Sequence, residues 1–343
     1  MISKKDLSQK EVDDFLDSHF IGKQDYEKTA FLCSFLNGLM NYDVTYQFIA
    51  KMLRYLFRID NYNRKNIDEF EIQNKTILEC TGSGKKPIKS LNISTPSIIT
   101  AVAGGATIIK KGSRATSSKL GSVDFLEKIG FKKSNDVERQ KKALIKTGFA
   151  FVEIESVIPN FNKIYEGYFF KPHILSYALA ALVTTLKGNK LIYGLSLPDV
   201  DKSIKAINEI ADTPITVFTG ENAGQFYDEI IPAGTMIKSS YNGGKFLNYS
   251  CSLRGFAHIE DVKNTVDADK SIQMSIDVLK GNSYGAYGEF IAYNAAFYLM
   301  EANVEGNYES ALEIARNILS TGRAYEKLEE IVDFSGGRIF EKF

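Results

Sequence analysis

The chain has little of what the commoner catalytic chemistries require. Its 343 residues include three cysteines and three histidines. Cys33, Cys80 and Cys251 are an odd number, far apart and without a CxxC pair, so neither a disulfide framework nor a zinc site is indicated. Each reads as a buried small apolar residue. His19, His173 and His258 are too scattered for a histidine metal site or a catalytic triad, so any metal is expected on oxygen ligands. There is no uninterrupted apolar run of about 18 residues to span a bilayer. No apolar segment of signal-peptide type follows the first residues, and no repeat or low-complexity tract is present. The expected setting is cytoplasmic. The 42 basic and 42 acidic residues cancel, which argues against a general nucleic-acid or membrane binder, although a local basic groove survives that argument.

What is present has two textures. A chain of this length exceeds the roughly 250–300 residues at which one core stops growing, so two lobes are expected. Phe48, Ile49, Met52, Leu53, Leu56 and Phe57 recur at three and four, the apolar face of an amphipathic helix. The run Thr29 to Leu39 has similar spacing. Polar turn-formers from Asn61 to Asn66 then mark a lobe boundary. From Thr76 onward strands alternate with helices: Thr76–Cys80, Ala106–Ile109, Phe149–Ile154, Leu191–Ser196 and Ile215–Thr219 are the strand candidates. That alternation predicts a parallel sheet with crossover helices and a ligand beyond the carboxyl ends of its strands. A helical insertion, 159–187, is clearest from Pro172 to Leu186 and should pack onto the N-terminal helices. A hairpin is expected at Gly234 to Ser250 around Asn242-Gly243-Gly244. The tail is helical again, with Ala286 to Ala302 apolar enough for the core. The expected class is α/β: a small all-helical lobe (1–66, completed by 159–187) and a larger α/β lobe (67–343) with a mostly parallel central sheet.

The chemistry concentrates between Glu79 and Gly130. Thr81-Gly82-Ser83-Gly84 leads into Lys85, Lys86 and Lys89, then Asn92, Ser94 and Thr95 at a helix start. Free N–H groups at a helix start and small residues that let a ligand approach the backbone suit a phosphate. A loop with three lysines is electrostatically costly unless it is solvated or meets an anion. The plainer reading is a solvated loop with Ser94 or Thr95 as an ordinary N-cap. A second basic loop, Lys110-Lys111-Gly112-Ser113-Arg114, follows one helix and one strand later. Two such loops suggest a polyphosphate.

NISTPSIITAVAGG, followed by KKGSRATSSKLGSVDFLEKIG, resembles the anthranilate phosphoribosyltransferase family, which belongs with the pyrimidine nucleoside phosphorylases in one superfamily. The family pattern is Gly-Thr-Gly-Gly-Asp, then Asn-x-Ser-Thr, Lys-His-Gly-Asn-Arg and Ser-Ser-x-x-Gly-Ser-Ala-Asp-x-Leu-Glu-x-Leu-Gly. Matching extends to Leu7-Ser8-Gln9-Lys10-Glu11, to the Asp228-Glu229 pair and to Asn294-Ala295-Ala296. The resemblance implies a helical lobe on an α/β lobe, with 5-phosphoribosyl 1-diphosphate and magnesium in the cleft. It assigns the donor's phosphates and ribose to Thr81, Gly82, Ser83, Gly84, Lys89, Asn92, Ser94, Thr95, Lys110, Gly112, Ser113, Arg114 and Ser118. Lys110 and Arg114 would also stabilise the transition state, and Ser94, Asp228 and Glu229 would hold Mg2+. No nucleophilic residue is required.

The departures are as specific as the matches. Lys85 and Lys86 stand where the family has Gly and Asp, Lys111 replaces its His, and Ser113 its Asn. Tyr168 stands where an Arg binds the anthranilate carboxylate, leaving Lys163 or Lys171 as substitutes without the fork geometry. The resemblance therefore implies phosphoribosyl transfer to an aromatic acceptor, anthranilate (tryptophan biosynthesis) or another, by a homodimer paired through the helical lobe. The alternatives are nucleoside phosphorolysis, which Lys89-Ser90-Leu91 suggests and the lack of an extra C-terminal domain opposes, and a non-catalytic nucleic-acid binder, which zero net charge opposes.

Overall fold

Short β-branched runs separated by amphipathic helices build one sheet, seen in a computed structural model that describes residues 7–115, 120–165, 167–340 and 343. Strands β1 (Ile77–Gly82), β2 (Thr107–Gly112), β3 (Phe149–Glu153), β4 (Lys190–Gly194) and β5 (Ile215–Asn222) lie parallel in the order β3-β2-β1-β4-β5. Strands β6 (Gln225–Tyr227), β7 (Thr235–Asn242) and β8 (Lys245–Ser252) extend the β5 edge antiparallel. The β7–β8 hairpin turns at Gly243 and Gly244, at φ 53° and 86°, as the Asn-Gly-Gly signal predicts. Strands β1 and β2 run two or three residues past the apolar runs that announce them. In β1 the ladder continues through Thr81↔Tyr193 and Gly82↔Gly194, so the first residues of the expected loop are strand.

Alternation along β1 sends Leu78 and Cys80 to one face, Ile77 and Glu79 to the other. The first face is covered by α4 (Ser94–Ala103), α5 (Ser122–Lys128), α11 (Ala268–Leu279), α12 (Gly285–Glu301), α13 (Tyr308–Ser320) and α14 (Arg323–Phe334). Helix α12 is the expected core helix, buried along nearly its whole length. Across the opposite face, residues of β4 and β5 share a core with α10 (Val200–Asn208) and with α1 (Gln9–Phe20), α2 (Asp25–Leu39) and α3 (Tyr46–Arg58). The predicted stripe of α3, Phe48 to Phe57, faces inward. Helix α6 (Val137–Thr147) packs on β3, and the single turn α7 (Ile154–Val157) leads into α8 (Pro159–Tyr165), which docks on α2, where Thr29 Oγ1 donates to the Ile164 carbonyl at 3.1 Å. Cys80 is buried as expected, whereas Cys33 and Cys251 are only half-buried.

The helix expected from Pro172 to Leu186 is broken. It forms a 3-10 turn, Ile174–Tyr177, and a single turn of α-helix, α9 (Leu179–Leu182). Side chains from elsewhere take carbonyls that a continuous helix would use. Tyr193 donates to Ser176, Ser203 to Tyr177, Lys111 to Ala181 and Tyr62 to Leu182. Tertiary donors thus override local propensity.

One buried ion cluster joins the parts. Glu79 in β1 is fully buried and receives Arg64 through two bonds of 2.6 and 3.0 Å, with Lys111 of β2 at 3.1 Å. Lys111 also donates to the Ala181 carbonyl, and the Gly188 N–H reaches Glu79 at 3.2 Å. The Arg64 and Lys111 charges beside it overcome burial and hold the Glu79 carboxyl below its usual range. Removing one member of such a cluster strands the others. Glu79→Gln is expected to lower stability by about 3–5 kcal/mol, read by urea unfolding at pH 7.

Candidate active site

The strand order reverses between β1 and β4, the crevice where an open α/β sheet binds its ligand. Two glycines line that crevice because an acidic turn lies against them. A Cβ on Gly82 would fall 2.3 Å from Asp228 Oδ2, and one on Gly194 2.2 Å from the Asp228 carbonyl. The turn is pinned from behind by Asn294 of α12, whose Oδ1 accepts from Ile230 N and whose Nδ2 donates to the Ile230 carbonyl, both at 2.9 Å. Asp228-Glu229 is therefore no solvated turn. Glu229 is 4% exposed, and Asp228 Oδ2 accepts from the Gly84 N–H at 2.8 Å.

The loop after β1 is anchored through Ser83, which bonds to the Gly194 carbonyl and accepts from the Ser196 N–H, each at 2.8 Å. Gly84 and Lys85 then both take left-handed backbone, φ 64° and 61°. The two lysines that follow from this kink diverge. Lys86 Nζ reaches Glu229 Oε1 at 2.5 Å, Ser90 Oγ at 2.9 Å and Asp228 Oδ1 at 3.9 Å. Burial opposes its charge, but the Glu229 and Asp228 carboxylates outweigh burial and hold the ammonium above its ordinary range. Burial pushes the Glu229 carboxyl upward in turn. With two acids sharing one cation, we assign the charged form to Lys86. Lys85 turns the other way, to Tyr165 OH at 2.8 Å and His173 Nε2 at 2.9 Å. Burial brings its pKa down to about 7, and burial with the Lys85 charge drives His173 well below the usual imidazole range.

Helix α4 presents its N-terminus to the same space. Asn92 Oδ1 accepts from Thr95 N at 3.2 Å, and Ser94 Oγ accepts from the buried Lys110 Nζ at 3.2 Å. Burial brings Lys110 down to about 8. One open cavity of about 220 Å³ is lined by Thr81, Gly82, Ser83, Gly84, Lys89, Asn92, Ser94, Lys110, Gly112, Ser113, Arg114, Asp228 and Glu229. These are most of the residues that the sequence nominates.

Two nominated residues fall elsewhere. Thr95 is fully buried behind the cavity wall, its hydroxyl 3.4 Å from Ser122 Oγ. Tyr168 is 52% exposed and lies off the cavity, while its neighbours Gly167 and Phe169 line it. The chain turns at Gly167, φ 77°, which carries the Tyr168 ring outward. Ser118 lies outside the described residues. Arg114 lines the cavity, but its guanidinium is held by Glu127 through two bonds of 2.8 Å, with Asp124 at 3.5 Å and Glu153 at 3.8 Å. Sequence reasoning missed Lys86 as a partner of the acid pair, and the wall of Tyr165, Phe169 and His173 around Lys85. The three-lysine loop signalled them without saying which way each would point.

Residues 74–325 match the family model described as "Glycosyl transferase family, a/b domain". The chain belongs to that family. It is 24% identical over 349 residues to the anthranilate phosphoribosyltransferase of Desulfosudis oleivorans, covering 98% of this chain and 96% of the relative. It is 26% identical over 274 residues to that of Burkholderia mallei, covering 76% and 77%. Among solved structures it resembles the Saccharomyces cerevisiae enzyme in complex with PRPP and Mg, with TM-score 0.74, 18% identity and coverage of 96% and 94%. The Thermus thermophilus enzyme gives TM-score 0.71 at 22% identity, covering 97% of each chain. These structures share the fold of the family member described here.

Asn294→Ala would leave the Ile230 N–H and carbonyl without partners beneath the acid turn. The expected loss is about 1–3 kcal/mol in urea unfolding.

Proposed function

We propose that this family member transfers the 5-phosphoribosyl group of 5-phosphoribosyl 1-diphosphate to an aromatic acceptor, releasing diphosphate. The curated relatives are named for anthranilate as acceptor. The observation that carries the reading is convergence at the switch point: the β1 loop, the start of α4, Lys89 and Lys110 face the Asp228–Glu229 turn across one cavity. Cations and N–H donors there suit a diphosphate leaving group, whose charge grows as the glycosidic bond breaks. Holding both substrates in one cleft would supply much of the rate, so no nucleophile is needed.

The residues fit a magnesium ion carried on the donor. Asp228 Oδ1 is buried without a hydrogen-bond partner, and Glu229 and Ser94 add hard oxygen ligands nearby. When bound, Mg2+ would neutralise charge on the departing diphosphate. Lys110 and Lys89 would meet the phosphates directly. Arg114 would reach them after leaving Glu127. A homodimer paired through the helical lobe, in a cytoplasmic setting, belongs to the same reading; Ile21 and Tyr26 are exposed on that lobe.

The decisive assay supplies magnesium, the diphosphate donor and a panel of aromatic acids and bases, and follows pyrophosphate release. Turnover with one acceptor, with thermal stabilisation by the donor, is expected. Absence of both overturns the reading. Glu229→Gln is expected to abolish donor-dependent stabilisation, read as the shift in melting temperature. Lys86→Gln frees the acid pair of its internal cation and should let millimolar Mg2+ alone raise the melting temperature, an effect absent from the unmodified protein.

A further inference from the structure

Lys85 points away from the acid turn, toward Tyr165 and His173. Its Nζ lies in the wall formed by α8 and the segment after it, 4.9 Å from the Tyr165 ring centroid and 5.6 Å from that of Phe169. Its two polar neighbours, Tyr165 OH and His173 Nε2, are neutral, and their own 3.0 Å contact keeps them together. Among the described residues no carboxylate lies in ion-pair range of Lys85, and burial alone lowers its pKa. The position is also strained, since φ 61° is uncommon for a residue with a Cβ. A cation held by a strained backbone against apolar rings is unfavourable on its own and is completed by an anion.

The wall describes the rest of that anion. Phe161, Tyr165 and Phe169 stack in sequence with centroids 4.9 and 4.7 Å apart and planes tilted by 25° and 23°. All three line the cavity that contains the phosphate loop. A flat ring would lie against such a wall, and a carboxylate on that ring would meet the ammonium. Lys163 is exposed and donates to Asn160 Oδ1 at 3.3 Å, and Lys171 is exposed, so neither expected substitute serves the cavity.

We propose that Lys85 binds the carboxylate of a planar aromatic acid in the acceptor half of the cleft and thereby selects the acceptor. This deepens the phosphoribosyl-transfer reading and rests on it for the word acceptor. One loop then addresses both substrates, because Gly84 and Lys86 hold the acid turn while Lys85 holds the carboxylate. A single ammonium lacks the two-point fork of a guanidinium, so ring substituents are tolerated as long as the carboxylate remains.

The test measures binding of anthranilate and of its neutral counterpart 2-aminobenzamide by ligand fluorescence, which the absence of tryptophan leaves uncluttered. Titrations are made with and without the magnesium-bound donor. The unmodified protein should bind the acid about tenfold or more tighter than the amide. Lys85→Gln should erase that preference. Lys85→Gly should do the same while relieving the strained φ, so its melting temperature is maintained or raised, and donor-dependent stabilisation should persist in both. The proposal is overturned if the unmodified protein binds the amide as well as the acid. It is equally overturned if either variant keeps the preference, or if the variants lose donor stabilisation with the preference intact, which would assign Lys85 to a donor phosphate. Failure of the donor reading looks different: no donor stabilisation and no pyrophosphate release, with the acid preference and its loss on substitution still present.

Discussion

Everything at the mouth of this cleft depends on a carboxylate beneath it, Glu79. It is buried without exposure and binds Arg64 from the segment that follows the N-terminal helices, Lys111 from the neighbouring strand and the Gly188 N–H from just before β4. Lys111 passes the link to the Ala181 carbonyl. Helical layer, sheet and broken insertion are therefore tied through one charge-compensated cluster, where each charge is tolerable only because the others are present. Such a cluster resists sliding of its parts, because any displacement exposes an unpaired charge to low dielectric. The strand ends above it inherit that fixed geometry.

On this base the acid turn is placed by absence of bulk. Gly82 and Gly194 pair across β1 and β4, and side chains there would collide with Asp228. Asn294 supplies the counter-hold from α12. Two carboxylates are thereby brought to the switch point at the cost of their hydration, and the Lys86 ammonium compensates them. The acid-turn side of the cleft is thus a balance of charges already assembled in the fold.

Much of this was legible in the residues. Five parallel strands, the Asn-Gly-Gly hairpin and the core helix α12 follow from apolar period, turn chemistry and length, which are local properties. The Gly/Ser/Lys loop and the Ser94 helix start were legible as neighbours in the same way, and they line one cavity. The helix expected at Pro172 to Leu186 was not legible, because what breaks it are donors from Tyr62, Lys111, Tyr193 and Ser203, remote in sequence. Tyr168 was nominated by its position in the motif, and one turn at Gly167 carried it outside. Side-chain direction after a left-handed kink is likewise invisible in a string of lysines.

That kink decides how the altered loop works. Where the family has Gly-Asp, this chain has Lys85-Lys86, which exchanges one negative charge for two positive ones within the same turn. Had both lysines faced the donor, each would have lowered the other's charge at short range in a water-poor site. Opposite directions avoid this: Lys86 joins the acids, and Lys85 faces Tyr165 and His173. The Lys86 ammonium already offsets part of the field that would draw a divalent ion to Asp228 and Glu229. On the proposed reading, Asp228 and Glu229 would hold a divalent ion better when a diphosphate comes with it, because the added negative charge would give Lys86 another partner.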